Sequence, residues 1–186
     1  MPKTYAAPNG LSDQTTSADF CQIFAKHMDS LYLLSLLLTA DPDKAEQCFV
    51  GGLSDSVEGN PVFREWALSW AKRVIVQRAI QMVQPANKKR SANTRAPEVE
   101  IAPRLSTIFQ LDAFERFVFV MSVLEKYSYQ DCSILLGCSR QAIVEARSRA
   151  LEHLGAAIKI GAEPGEIPEK IAMHVSGFAK LGWAIS

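Results

Sequence analysis

The chain has 186 residues, 48% of them hydrophobic, long enough for one large domain or two small helical ones. Lysine plus arginine and aspartate plus glutamate number 20 each, so the whole-molecule field excludes a general electrostatic attraction to nucleic acid. Cys21, Cys48, Cys132 and Cys138 form no CxxC pair and His27, His153 and His174 form no ligand-spaced cluster, so no metal site is expected and the thiols read as small buried hydrophobes of a reducing compartment.

The first residues, with Pro2, Pro8, Asn9 and Gly10, read as a flexible arm over 1–16. They lack the charged start and apolar run of a signal peptide. A helix is predicted from Ser17 or Asp19 to about Thr39, with Phe20, Phe24, Met28, Leu31, Leu34 and Leu38 inward. Its apolar run, Leu31 to Leu38, is too short to span a bilayer, and a cytoplasmic protein is expected, with no membrane partner. Asp41 and Pro42 restart the chain as cap and first helical residue of a short helix to about Val50, which Gly51 and Gly52 end. After Gly59, Asn60 and Pro61 a third helix is predicted over about 62–83, with Phe63, Trp66, Trp70, Val74 and Ile80 or Gln81 near one side. Lys72, Arg73 and Arg78 punctuate it. Aromatic and basic residues interleaved on one helix suit stacking on unpaired bases, whereas tryptophans at helical spacing are more often core.

Residues 85–104 read as a linker by their prolines and polar residues, and Lys88, Lys89 and Arg90 make it the basic part of the chain. A short helix near Leu105 and a longer one from about Leu111 to Lys126 follow, the latter with Phe114, Phe117, Val118, Met121 and Leu124 inward. Tyr129 to Leu154 then reads as two helices around a turn. Gly137 stands where the chain leaves the first helix with a positive φ, Ser139 caps the second, and Ser133 is small where the two cross. Ile143, Ala146, Ala150 and Leu154 form the buried stripe, and Gln141, Glu145, Ser148, Arg149 and Glu152 lie opposite. That is the layout of a DNA-reading helix-turn-helix, and an ordinary hairpin in a helical bundle is its competitor. Beyond Ile160, GAEPGEIP breaks the helix, and residues 161–186 carry Ile171, Val175, Phe178, Leu181 and Trp183 at amphipathic spacing. The whole is expected to be all-α: two small helical domains, 17–84 and 105–160, joined by the linker. No nucleophile with its base, phosphate-cradling loop or cofactor motif stands out, so neither an enzyme nor a cofactor is expected.

Taken in order, these parts resemble a bacterial RNA polymerase sigma factor of the extracytoplasmic-function type. LYLLSLLLTADPDKAEQCF, Leu31 to Phe49, is similar to the family's polymerase-binding stretch, which implies polymerase contacts at Asp41, Ala45, Glu46 and Phe49. FREWALSWAKRVIVQRAI, Phe63 to Ile80, resembles the helix that helps melt and read the promoter strand, which implies DNA contacts at Arg73 and Arg78 and at Lys88, Lys89 and Arg90 beyond it. LDAFERFVFVMSVLEKYSYQDCSILLGCSRQAI, Leu111 to Ile143, resembles the family's last domain, where Arg140, Gln141, Val144, Glu145, Ser148 and Arg149 would be the DNA-reading residues. The implied partners are core RNA polymerase, double-stranded promoter DNA, the melted non-template strand and an anti-sigma factor. The chain departs from the family's pattern at three places. Gln47, Val50, Gly51 and Gly52 follow Ala45 and Glu46 where acidic and glutamine residues are usual, and Val144, Glu145 and Ala146 replace cations in the middle of the reading helix. Arg147 falls at a usually apolar position, so its stem is expected along the core and its head at phosphate. A degenerate sigma fold that no longer supports initiation is the second reading.

Overall fold

The computed structural model describes residues 14–59, 62–85 and 103–160. The described residues are all-α, apart from a single backbone bridge between Gln14 and Phe63. By its contacts the chain divides into two compact units, Met1–Pro85 and Ala86–Ser186. No helix among the described residues is long and apolar enough to cross a membrane.

The first unit packs α1 (Ser17–Lys26), α2 (Met28–Thr39), α3 (Pro42–Glu58) and α4 (Ala67–Val83) around Phe20, Phe24, Leu31, Leu34, Leu38, Ala71 and Ile75. Thr16 and Asp19 cap α1 reciprocally, satisfying amide donors that the first turn leaves unpaired. The single helix expected over 17–39 is broken at His27, whose φ of −112° and ψ of 21° bend the chain. The bend leaves Met28 at the joint, 54% exposed, although its spacing from Phe24 and Leu31 on a straight helix points inward. Nor is the end of the arm loose: Thr15 is buried and exchanges hydrogen bonds with Val62, its N–H donating to the Val62 carbonyl at 2.8 Å. Residues 1–13 lie outside the described residues.

Gly51 and Gly52 do not end the second helix. Asp41 and Pro42 start α3 as expected, the Lys44 N–H donating to Asp41 Oδ1 at 3.1 Å, but the helix continues to Glu58 with both glycines buried. A Cβ on Gly51 would lie 2.7 Å from Arg78 Nε, and one on Gly52 would lie 2.8 Å from Ile75 Cγ1. These glycines are packing residues that let α4 approach, at a cost of about 1 kcal/mol each in helix propensity relative to alanine. The third helix also differs at its start: Arg64–Trp66 forms a 3-10 turn that breaks the α-helical phase, and of the two alternatives weighed for the tryptophans Trp66 is not core: Phe63 and Trp66 are 48% and 58% exposed.

The second unit comprises α5 (Pro103–Phe109), α6 (Ala113–Phe119), α7 (Tyr129–Leu136) and α8 (Arg140–Ile160). Phe114, Phe117, Val118 and Met121 are buried as expected, and α6, α7 and α5 all pack on α8. The helix expected to run to Lys126 passes instead into a π-helical turn, Val120–Leu124, in which the Glu125 N–H reaches the Val120 carbonyl at 2.9 Å. Lys126 follows at a φ of +57°. Of the thiols, Cys48 and Cys132 are buried, Cys138 is half-buried and Cys21 is exposed. Cys21 corrects the expectation of burial: its helix turns the Phe20 and Phe24 face to the core and Cys21 away from it. The linker from 86 to 102 and residues 161–186 lie outside the described residues.

Candidate nucleic-acid interface

The pair α7 and α8 is assembled by the residue types that its sequence places at each joint. Ser128 caps α7, its Oγ accepting from the Asp131 N–H at 3.0 Å. Gly137 ends the helix at φ 61°, ψ 37°, a left-handed conformation that costs an L side chain about 1–2 kcal/mol. The reversal is closed by the Cys138 N–H donating to the Ser133 carbonyl at 3.1 Å. Ser139 Oγ then accepts from the Ala142 N–H at 3.2 Å, capping α8. Behind this turn Ser133, Cys132, Ala142, Ile143, Ala146 and Ala150 are buried, so the stripe expected inside is inside as far as Ala150, while Leu154 is only half-buried.

The outer side of α8 is open. Arg140, Gln141, Val144, Glu145 and Ser148 are exposed and share one side of the helix, since residues three and four apart are neighbours on its surface. Two of them are tied together: Gln141 Nε2 donates to Glu145 Oε1 at 3.0 Å. Arg149 stands apart. Its Nε donates to Glu115 Oε1 of α6 at 2.7 Å, and the other Glu115 oxygen lies 3.3 Å from His153 Nδ1. Glu115 is buried at 7% exposure while Arg149 is half-exposed, so α8 is pinned to α6 by a carboxylate that burial leaves dependent on its cation. Beside it Arg116 is buried, donates to the Leu111 carbonyl at 3.1 Å, and is pushed down to about 10 by desolvation. The Arg147 head group donates to the Tyr129 hydroxyl and lies 5.5 Å from the ring centroid. A ring at this distance attracts the cation through its face. Glu115 and Tyr129 were not singled out by the sequence. The signal for Glu115 was a charged residue inside the apolar run FERFVFVM; the signal for Tyr129, an aromatic 18 positions before Arg147, is not a local one.

In the first unit the site residues are dispersed. Arg78 Nη1 lies 3.3 Å from Asp55 Oδ2 and its guanidinium covers Gly51, so it helps close α3 on α4. Arg73 is half-buried on α4. Phe63 and Trp66 meet edge to face at 5.4 Å, and Arg64 beside them pairs with Asp19 at 3.5 Å. Asp41 is occupied as the α3 cap, Ala45 is fully buried, and Phe49 packs edge-on against Phe24 at 5.3 Å and Tyr32 at 6.3 Å, leaving Glu46 as the exposed member of that set. Lys88, Lys89 and Arg90 lie outside the described residues. Among the described residues no cluster of histidine, cysteine and acidic side chains could hold a metal ion.

No family model matches this chain, and no curated protein matches it. Among solved structures it is similar to the sigma factor RpoE in its co-crystal structure with the anti-sigma factor NepR from Bartonella quintana, at 19% identity, covering 77% of this chain and 99% of that one, with a TM-score of 0.46. At that identity and score the likeness assigns no function to this chain.

Proposed function

We propose that this protein is a sigma-type promoter-specificity subunit, in which the second unit lays α8 in the major groove and the first unit serves core polymerase and the opened strand. The observation that carries the reading is the open side of α8, with Arg140 and Gln141 at its start, standing behind a glycine turn and a serine cap. Residues at the start of such a helix are the ones that meet base edges. Arg140 suits the O6 and N7 acceptors of guanine, and Val144 suits a thymine methyl. In the first unit the exposed Phe63 and Trp66 supply flat apolar surface of the kind on which unpaired bases stack. With Arg147 and Arg149 engaged inside their own unit, counterion release on DNA is modest, and polymerase has to hold the protein at the promoter.

The test is to mix the full-length chain with core polymerase at low salt and score specific transcripts, then repeat with Arg140→Ala and Gln141→Ala together. Association with core and loss of transcript start selection in the double variant are expected. Failure to associate with core rejects the reading. A second reading, a sigma-derived DNA-binding regulator without initiation, is favoured by two observations: Ala45 is buried and Asp41 is occupied as a cap. It predicts duplex binding that survives while core association is absent.

A further inference from the structure

The Gln141–Glu145 pair gives the open side of α8 a chemistry of its own. Gln141 Nε2 spends one of its hydrogens on Glu145 Oε1 at 3.0 Å. The second carboxylate oxygen and the Gln141 carbonyl remain as acceptors, so the centre of this surface is rich in acceptors rather than donors. Both side chains are exposed, and the hydrogen bond between them biases the carboxylate toward one orientation before any ligand arrives. In the major groove only two base edges donate, cytosine N4 and adenine N6. Adenine places the N7 acceptor beside its donor, which sets lone pairs against the second carboxylate oxygen, and cytosine presents a carbon there. Guanine O6 and thymine O4 are acceptors and oppose a carboxylate outright. A negative group among phosphates weakens binding to every sequence, so its effect is to discriminate rather than to attract.

We propose that Glu145, oriented by Gln141, is a specificity residue that accepts from the N4 amino group of a cytosine in the major groove. The inference rests on the reading of α8 given under the proposed function and names the base that this side chain selects.

The experiment is selection of bound duplexes from a randomised library by the full-length chain at low salt, with and without core polymerase. Wild type, Glu145→Ala, Glu145→Gln and the Arg140→Ala, Gln141→Ala double variant are compared. Glu145 is exposed, so circular dichroism of the variants is expected to match wild type. Wild type should enrich one position for cytosine, by roughly tenfold or more over thymine. Glu145→Ala should lose the preference at that position alone, and Glu145→Gln should move it to adenine, because an amide pairs with the N6 and N7 edge. An enriched motif unchanged in both Glu145 variants overturns this inference and leaves the proposed function standing. Absence of any enriched duplex for wild type in either arm overturns both.

Discussion

Gly137→Ala isolates the backbone contribution to the turn that presents α8. Gly137 holds φ at +61°, and a Cβ added there meets nothing within 4 Å. Steric crowding therefore contributes nothing, and the effect is the left-handed strain of an L residue, about 1–2 kcal/mol, offset by about 0.4–1 kcal/mol of entropy removed from the unfolded chain. A net loss of about 1 kcal/mol is expected, confined to the second unit. Gly137→Asn should lose less, because asparagine enters the left-handed region more readily than alanine. The assay is native-state hydrogen exchange read by mass spectrometry on peptides from 129–160 and, as an internal control, from 17–83. Protection of the first set should fall about fivefold in the alanine variant while the second set is unchanged. Unchanged protection across 129–160, or an asparagine variant as unstable as the alanine one, would refute the reasoning that backbone conformation alone demands glycine here.

Gly52→Ala should destabilise the first unit in spite of a helix-propensity gain of about 1 kcal/mol, because the new methyl lies 2.8 Å from a buried Ile75 that cannot swing aside. Gly51→Ala should cost less, since it meets the movable Arg78 end; urea unfolding followed by the fluorescence of Trp66 and Trp70 ranks the two, and a Gly52→Ala protein more stable than wild type contradicts the packing argument. Arg149→Ala should lose more stability than Glu115→Gln, about 2 kcal/mol against about 1, because the first leaves a buried carboxylate with only His153 beside it and the second leaves a half-exposed guanidinium in water; equal losses in thermal melts would count against the asymmetry. Burial pushes the Cys48 and Cys132 thiols up to about 11, so at pH 8 a thiol reagent should label Cys21 first and reach those two on unfolding. The same raised values mean that the unfolded chain releases these protons first, so stability should fall as pH rises from about 9 toward 11. Early labelling of Cys48 in the native protein is the contrary result.

Signals carried by residues close together in the chain were legible in the sequence by itself. The all-α class, the Asp41–Pro42 start of α3, the Gly137 turn, the Ser139 cap and the Ile143–Ala150 stripe each depend on which neighbours share a turn of backbone, and periodicity and capping chemistry are written at that range. The open side of α8 follows from the same periodicity, once the stripe is known to be buried. What only the tertiary structure decided is where a partner arrives from elsewhere. Gly51 and Gly52 read as a stop because nothing local reveals that α4 passes over them. That Arg149 pairs with Glu115, 34 positions earlier, and Arg147 with Tyr129, 18 positions earlier, is written in no local pattern. A cation or a glycine has one identity in the sequence and several possible employments in space. Burial and the opposite charge are supplied by residues far away in the chain, so the choice among those employments is made only when the helices pack.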